Sequence, residues 1–409
     1  MQGSASFNIL SNTVDIGGSS VSAFGTLETA ELTPLVQLDF VYGINTQTGV
    51  TAVSGAGATV DTSVSRLRIQ SGTNAAGTAT FTSRKTAKYR PGQGLTARFT
   101  GVYAAATAGA IQIIGAGSAT DGYFFGYNGT SFGILLKTGG SSAWVASSSW
   151  NGDKCDGTGG SGFTWNHQNG NVMMIKYPYL GYGDIKYYVQ NPTTGGWILC
   201  HTIQYANSTT AVQVSNSNLT FYANITNGGN TTNLTMYVGS VGIFLSGARV
   251  FVGNPKWSAD SNKASITTET SILTIKNCTT YNGVANKSLI RLNAVSFGST
   301  AGNGVCTLRL KIGATLGGSP SYTPVNGTTS DAGATLTAAN SIASVDTAGT
   351  TVTNGTYVFS LTAANPASNV FDLTTFDIFL APGETMTLSV ATSQSAATVG
   401  VTANWVEDI

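Results

Sequence analysis

Residues 121–136, DGYFFGYNGTSFGILL, constrain the fold of this chain more than any other stretch. Aromatic residues stand at 123, 124, 125 and 127, and aromatic side chains favour the pleated, half-buried surface of a strand. Asn128-Gly129 follows, which predicts a type I′ hairpin turn with positive φ at both central positions. Phe132, Ile134 and Leu136 then recur with the period of two that indicates a second strand. Because one hairpin is not stable alone, the remaining chain must supply further strands.

Strand and turn signals alternate along the rest of the sequence. Polar and apolar residues alternate at 65–70 and 305–312, and no long segment has the apolar period of a helix. The 51 glycines fit many tight turns between short strands. This spacing of strands is typical of sandwiches and jelly rolls. We therefore predict an all-β fold of two antiparallel, jelly-roll-like β-sandwich domains with an extended N-terminal arm.

The strand signals divide the chain into three parts. Residues 1–35 form an arm of short strand-like pieces, which either adds to a sheet of a neighbouring subunit or is the first strand of its own domain. Residues 36–247 form a large, lectin-like sandwich, and residues 256–409 a smaller one. The boundary falls near 247–255, with a linker-like stretch at 256–260. Within the first sandwich, the Gly-rich residues 145–170 are predicted to be a long surface loop.

Charge limits the classes of partner. Only 9% of residues are charged, against about 25% in an average soluble domain, and the net charge is +1. No basic block exists, so we expect no nucleic-acid partner. No apolar stretch is long enough for a membrane span, and no secretory signal peptide is visible at the start. This low content of charged residues is compatible with a subunit that packs against copies of itself.

No catalytic constellation stands out. A glycosidase needs two facing carboxylates, and the candidate acids, which follow no paired pattern, are Glu28, Glu31, Asp121 and Asp184. A metal site would join His167 to Asp153, Cys155 and Asp156, whose spacing matches no zinc pattern. The loop acids could instead hold a hard cation, or be solvated or cap turns. We predict no enzymatic activity, no catalytic residue, no cofactor and no metal.

Three further residue types carry predictions. The four cysteines fall into two pairs, Cys155/Cys200 and Cys278/Cys306, which are either intradomain disulfides or free buried thiols. Trp144, Trp150 and Trp165 lie on predicted loops, where they either contact a glycan or partner or pack in the core. Sequons for N-glycosylation stand at the following positions: Asn207, Asn218, Asn224, Asn230, Asn233, Asn277, Asn286, Asn326 and Asn354.

Several stretches resemble virion structural proteins of large DNA viruses and tailed phages. Residues 23–35 are similar to the AFGRLRVSxPxTLF segment of that group, although Thr26 and Glu28 replace its two arginines. The other similar stretches are residues 89–100, 121–136, 179–186, 201–207, 380–388 and 405–409. The resemblance implies a role on a particle surface, in a fibre or spike, or as a minor capsid protein. It implies no catalytic residue.

Together these features predict a function. The chain is expected to be a structural subunit of a virion surface, fibre or spike that self-assembles, as a trimer or filament, with copies of itself and other virion proteins. The alternative is a carbohydrate-binding adhesin whose loop aromatics contact host-surface glycans, and an extracellular polysaccharide hydrolase is the third hypothesis. The expected location is the virion surface or the extracellular space, and the sequons would make the chain a glycoprotein.

Overall fold

The computed structural model describes residues 31–249, 254–300, 304–325, 340–364, 366–394 and 396–409. Within these ranges the regular structure consists of 31 strands and two short 3-10 turns, Ser147–Ser149 and Thr374–Phe376. All strand pairs are antiparallel, and the larger sheets pack in two sandwiches. The prediction of an all-β, jelly-roll-like fold is confirmed.

The first sandwich is built from sixteen strands. Their bounds are β1 Leu32–Asp39, β2 Gly49–Ser54, β3 Thr59–Ser63, β4 Arg66–Gln70, β5 Thr78–Ser83, β6 Leu95–Gly101, β7 Ile111–Gly117, β8 Gly122–Asn128, β9 Ser131–Thr138, β10 Ser141–Ala146, β11 Asn171–Tyr177, β12 Ile185–Gln190, β13 Trp197–Ile203, β14 Thr220–Thr226, β15 Thr235–Val238 and β16 Ser240–Ser246. A six-stranded sheet, in the order β1-β16-β6-β11-β12-β13, faces a seven-stranded sheet, in the order β10-β9-β8-β7-β14-β5-β2. The strands β15-β4-β3 form a third, small sheet.

The second sandwich is built from fifteen strands. Their bounds are β17 Lys256–Ile266, β18 Thr270–Asn277, β19 Thr280–Tyr281, β20 Val284–Ala285, β21 Ile290–Thr300, β22 Val305–Ile312, β23 Thr315–Leu316, β24 Thr323–Pro324, β25 Ala343–Asp346, β26 Val352–Thr353, β27 Thr356–Ala364, β28 Ala367–Asp372, β29 Phe379–Leu380, β30 Thr385–Thr392 and β31 Ala397–Glu407. One sheet has the order β17-β31-β21-β28, and the other the order β24-β25-β18-β30-β22-β27. In both sandwiches the first strand pairs with the last, β1 with β16 and β17 with β31.

Each sandwich has its own hydrophobic core. One cluster of buried side chains runs from Leu35 to Leu245, and a second runs from Ile266 to Trp405. A small third cluster, Ile113, Phe124, Leu135 and Tyr222, lies on the outer face of the seven-stranded sheet. The predicted boundary at 247–255 falls between the two sets of strands. In the described residues no strand of one set pairs with a strand of the other.

The hairpin at 121–136 forms as β8 and β9, but its turn differs from the prediction. Asn128 pairs with Ser131, so the turn is centred on Gly129-Thr130 rather than on Asn128-Gly129. Gly129 has φ +61° and Thr130 is not in the left-handed region. Positive φ at the first central residue alone, filled by Gly, is the pattern of a type II′ turn.

Two predicted boundaries also change. Residues 256–260 are not a linker, because they open β17, where Trp257 and Ala259 point to the second core and pair with β31. The predicted arm falls mostly on residues 1–30, outside the described part of the chain. Its last residues are not an arm, since β1 begins at Leu32 and pairs with β16.

Candidate functional site

Arg84, Lys85, Lys88 and Arg90 stand within seven residues between β5 and β6. They point toward the second sandwich, and each of them binds one of its acidic or carbonyl groups. Arg84 binds both oxygens of the Glu384 carboxylate, and Lys85 Nζ lies 2.6 Å from Asp377 Oδ2. Because the chain has so few charges, their concentration here makes the junction its most distinctive polar region.

Asp408 is a second centre of charge at the junction. Its side chain is fully buried and lies 2.8 Å from Arg90 Nη2 and 3.0 Å from Arg249 Nη2. Asn254 Nδ2 donates to Asp408 Oδ1, and Lys88 Nζ donates to the backbone carbonyl of the same residue at 2.8 Å. Burial lowers the pKa of Lys88 to about 8, although the Asp408 charge opposes that shift. A buried carboxylate with this many donors fixes how the two sandwiches meet.

Asp377 lies between the sandwiches at the end of the 3-10 turn Thr374–Phe376. It has φ +48°, a left-handed conformation that costs energy for a residue with a Cβ. Its carboxylate binds Lys85 and Arg291. Burial alone would raise the pKa of Asp377, but the Lys85 hydrogen bond and the charges of Arg291 and Lys85 outweigh it and lower that pKa. The strained backbone thus holds an ionised carboxylate at the junction.

Three adjoining cavities follow this junction, and together they form what we call the junction cleft. Their volumes are about 460, 320 and 310 Å³, and Thr48 lines all three. The middle cavity shares Gln37 and Leu38 with the first and Gln47 and Asp377 with the last. Ligand sites occur preferentially at such boundaries between packed units.

Aromatic rings stand at both ends of the junction cleft. Tyr42, at one end, is 100% exposed, and Tyr357 and Phe376, at the other, are 55% and 59% exposed. Lys311 Nζ lies 4.5 Å from the centre of the Tyr357 ring, and the Phe376 ring is edge-on to Phe359. These contacts orient two rings that remain largely open to solvent. Amides, a hydroxyl and carboxylates lie between the two ends.

The predicted contact tryptophans do not lie in this cleft. Trp150 and Trp165 are only 3% and 6% exposed and pack against Phe125 and Phe132 inside the first sandwich. The loop thus turns inward, because burying two large rings is more favourable than leaving them in water. Trp144 lies in β10 and packs on the small outer cluster of the seven-stranded sheet. The prediction that Trp150 and Trp165 form a contact surface is wrong.

All four cysteines are buried thiols. Cys155 Sγ and Cys200 Sγ are 3.8 Å apart, so this pair has the proximity that its predicted disulfide requires. The Cys278/Cys306 pairing is wrong, since Cys306 pairs with Thr392 at one end of β30 while Asn277, next to Cys278, bonds Glu384 at the other. A strand of eight residues spans about 26 Å, and Cα atoms more than about 7 Å apart cannot be bridged.

The sequons fall into distinct environments. Asn277 is fully buried, and its Nδ2 donates to the carbonyls of Ser288 and Leu380, so the predicted glycan does not fit there. The amide nitrogens of four further sequons also donate hydrogen bonds: Asn224, Asn230, Asn286 and, at 3.4 Å, the exposed Asn354. Glycosylation remains a prediction at Asn207, Asn218, Asn233 and Asn354. Asn326 lies outside the described residues.

The acids and histidine considered for chemistry have structural partners. Asp153 accepts hydrogen bonds from the backbone of Cys155 and Ser161, and Asp156 from that of Thr158, so both acids cap turns. His167 stacks on Phe132, and its Nδ1 lies 3.0 Å from Tyr127 Oη. Among the residues that the structure describes, no group of three metal-ligating side chains comes together.

Asp121 also has a structural role. It accepts hydrogen bonds from the backbone N–H groups of Gly139 and Ser215 and lies 3.7 Å from Lys287 of the second sandwich. Burial raises its pKa, but these hydrogen bonds and the Lys287 charge lower that pKa overall. Asp184 is half-buried beside β12, Glu31 is exposed before β1, and Glu28 lies outside the described residues.

The sequence carried a signal for the junction that our predictions did not use. The run from Arg84 to Arg90 is a dense cluster of cations in a chain that is 9% charged. Its acidic partners stand about 300 residues later, so no local pattern links them to it. The turn at 381–384 presents Glu384 to the junction: Gly383 at its centre has φ +87°, and Glu384 N donates to Ala381 O at 3.1 Å.

No protein-family model and no curated protein match the sequence. Solved structures that align with it include a β-glucanase of Bacillus licheniformis, with 14% identity over 54% of this chain and 99% of that one, at a TM-score of 0.34. The lectin-like defence protein arcelin-5 of Phaseolus vulgaris aligns with 9% identity over 52% of this chain and 99% of that one, at 0.34. The Emp47p carbohydrate recognition domain aligns with 11% identity over 53% of this chain and 97% of that one, also at a TM-score of 0.34.

These comparisons require one correction. Because β-glucanases and glycosyl hydrolases are among the similar structures, the prediction that the chain is not an enzyme is contradicted, and it is not kept. The titles of the three structures named above do not bear on a virion protein, and the viral role stays a prediction. No helix in the described ranges is long and apolar enough to cross a membrane.

Proposed function

We propose that this chain is a carbohydrate-binding β-sandwich protein whose binding site is the junction cleft. The observation that carries the proposal is the pair of exposed rings, Tyr357 and Phe376, beside a cavity that Gln47, Thr48 and Asp377 also line. Apolar ring faces pack on the C–H faces of sugars, while amide, hydroxyl and carboxylate groups bind their hydroxyls. This combination is typical of sites that recognise uncharged saccharides.

The chain also has the rigidity that such a site needs. The residues of the cleft come from both sandwiches, so its shape depends on how they are joined. Lys85 fixes Asp377, and Arg84 lies over the Phe379 ring at 4.9 Å and donates to Gln47 O at 3.1 Å. A site that is preorganised in this way avoids part of the entropy cost of binding.

A glycan array followed by calorimetry on the hits tests the proposal. We expect an uncharged oligosaccharide to bind the wild type and to bind Tyr357→Ala and Phe376→Ala at least about tenfold more weakly, a loss of about 1.4 kcal/mol. The matched control is Tyr182→Ala, which removes an exposed tyrosine of the first sandwich that lines none of the three cavities. Released reducing sugar is measured in the same samples as a test for hydrolysis, because two carboxylates, those of Asp39 and Asp377, line the cleft.

Two outcomes count against the proposal. One is an array on which no uncharged saccharide binds the wild type. The other is a saccharide that binds Tyr357→Ala and Phe376→Ala as tightly as it binds the wild type, because the ligand would then lie elsewhere.

A further inference from the structure

The outer face of the six-stranded sheet carries an unusual set of side chains, which we call the cationic face. It comprises Arg98 on β6, Met174 and Lys176 on β11, Lys186 and Tyr188 on β12, Trp197 and Leu199 on β13, and Phe244 on β16. These residues alternate with neighbours that point into the first core, such as Phe99, Ile175 and Tyr187. They therefore project away from the sandwich.

Two lysines of the cationic face are direct cross-strand neighbours. Lys176 pairs with Lys186, and both side chains are exposed. In such a pair the Cβ atoms are about 5 Å apart, and like charges in this position destabilise a sheet. Arg98 stands diagonally from Lys176, at about 7–8 Å, because it pairs with Met174 in the adjacent register position. Three cationic residues thus occupy neighbouring positions on one face of the sheet, and the direct lysine pair has a cost in stability.

No carboxylate neutralises these cations. Within the described residues none of the three forms an ion pair, whereas the cations of the junction are bound to acids. Asp39 stands at the far edge of this sheet, in β1, and Asp184 precedes β12 without an ion pair to Lys186. Arg98 also has a buried Nε without a hydrogen-bond partner. The face therefore offers positive charge to an external anion.

The aromatic residues of the face are partly open. Trp197 is 38% exposed and Leu199 is 37% exposed, side by side with Tyr188 and Gln190 on the neighbouring strand. Lys176 Nζ lies 5.6 Å from the Tyr188 ring, and the Arg98 guanidinium lies 5.6 Å from the Phe244 ring. Rings interleaved with cations suit a ligand that has both apolar faces and negative groups.

From this geometry we infer that the cationic face binds an acidic polysaccharide, such as a polyuronate. The three cations bind its carboxylates, and Trp197 and Tyr188 contact its sugar rings. Nucleic acid fits less well, because proteins that bind it commonly neutralise about 6–10 phosphates, twice or more the charge available here. No residue of the cationic face lines the junction cleft, so the inference does not rest on the proposed function.

The test uses the whole chain and polygalacturonate fragments as the probe, with uncharged dextran of matched length and a single-stranded oligonucleotide of matched charge beside it. We expect calorimetry to show binding of polygalacturonate that weakens with added salt and exceeds that of both other polymers. The double variant Lys176→Gln/Lys186→Gln and the variants Arg98→Gln and Trp197→Ala should each bind at least about tenfold more weakly. The matched control is Lys137→Gln/Lys256→Gln, which removes two lysines on β9 and β17, strands that belong to other sheets.

Each other outcome overturns the inference. No binding of polygalacturonate, or equal binding of dextran, shows that the face does not recognise an acidic sugar polymer. Equal or tighter binding of the oligonucleotide assigns the face to polyanions in general. An equal loss of polygalacturonate affinity in the control lysine variant shows that binding depends on net charge and not on this face. Loss in Tyr357→Ala, with binding kept in Lys176→Gln/Lys186→Gln, places the polymer in the cleft and leaves the proposed function intact.

Discussion

Single residues show how this protein uses a small number of charges. Asp408 is buried and meets two arginines, whereas Lys176 and Lys186 face one another without an acid. The first arrangement supports the fold and the second opposes it. Residues that weaken a fold without a compensating contact are the ones most expected to serve binding. Sequence could show that both kinds of residue are rare, but not which cations find a partner, because every acid of the junction is far away in the chain.

Replacing the buried carboxylate at the junction should be costly. Asp408→Asn removes a buried carboxylate charge that binds Arg90 and Arg249, so we expect the free energy of unfolding to fall by about 3–5 kcal/mol. The control is Asp61→Asn, whose partner Arg68 is 33% exposed, and it should have little effect. Denaturant unfolding of the two variants measures the difference, and equal losses would contradict the role assigned to Asp408.

His167 should make stability depend on pH. Burial lowers its pKa from 6.5 to about 4, so between these pH values the unfolded chain binds a proton that the folded chain does not. The free energy of unfolding should therefore fall as pH drops from about 6.5 to about 4, by up to about 3 kcal/mol from this residue.

The variant His167→Gln isolates that contribution. Its stability should change less than that of the wild type over the same pH interval, as measured by urea unfolding at each pH. His201, whose pKa is also lowered by burial, acts in the same direction and remains in both proteins. Parallel pH profiles for wild type and variant would show that His167 is not the titrating group.

Strands and loops differ in how well the sequence foretold them. Alternation located β4 and β22, because one face of each is buried and fixes the side-chain period. The hairpin of β8 and β9 was located by its aromatic residues, its Asn-Gly pair and the apolar period at 132–136. The same reasoning did not predict β17. Its residues are mostly small or polar, so the sequence does not show that Trp257 and Ala259 point inward. It also left open whether Trp150 and Trp165 contact a partner or pack in the core, because a Gly-rich loop gives no sign of where its side chains go.

The inward loop can be tested with a single substitution. Trp165→Ala removes a buried ring that packs on Phe125 and Phe132, and we expect a loss of about 3–5 kcal/mol in the free energy of unfolding. Trp197→Ala, which removes a more exposed indole, should cost clearly less. Chemical unfolding followed by circular dichroism gives both values, and a larger loss for Trp197→Ala would refute the buried position of the loop.

At the scale of the whole molecule, the sheets leave some edges without a described neighbour. β2 is one such edge strand, and its Val50 and Val53 are more than half exposed. An exposed, apolar edge strand is a template for pairing with another chain. The predicted homo-oligomer and the predicted virion role depend on such contacts between copies, and both stay predictions.

Light scattering tests self-association directly. We expect the wild type to exceed the monomer mass of 42.0 kDa and Val50→Lys/Val53→Lys to return to it, because lysine on an edge strand opposes pairing. Val64→Lys, at an exposed valine in the turn between β3 and β4, is the control and should stay associated. A wild type that is monomeric at every concentration would remove the basis of the assembly prediction.

In each sandwich the first strand is an edge strand that pairs with the last strand, so this pairing cannot form until the whole sandwich has been synthesised. β1 remains without its partner until β16 has been synthesised, roughly 200 residues later. That takes about 10–40 s at the usual rates of translation. β17 waits for β31 in the same way. Such long-range pairing makes folding slow. During that interval each nascent chain exposes an unpaired strand, and such a strand is a template for pairing with another chain.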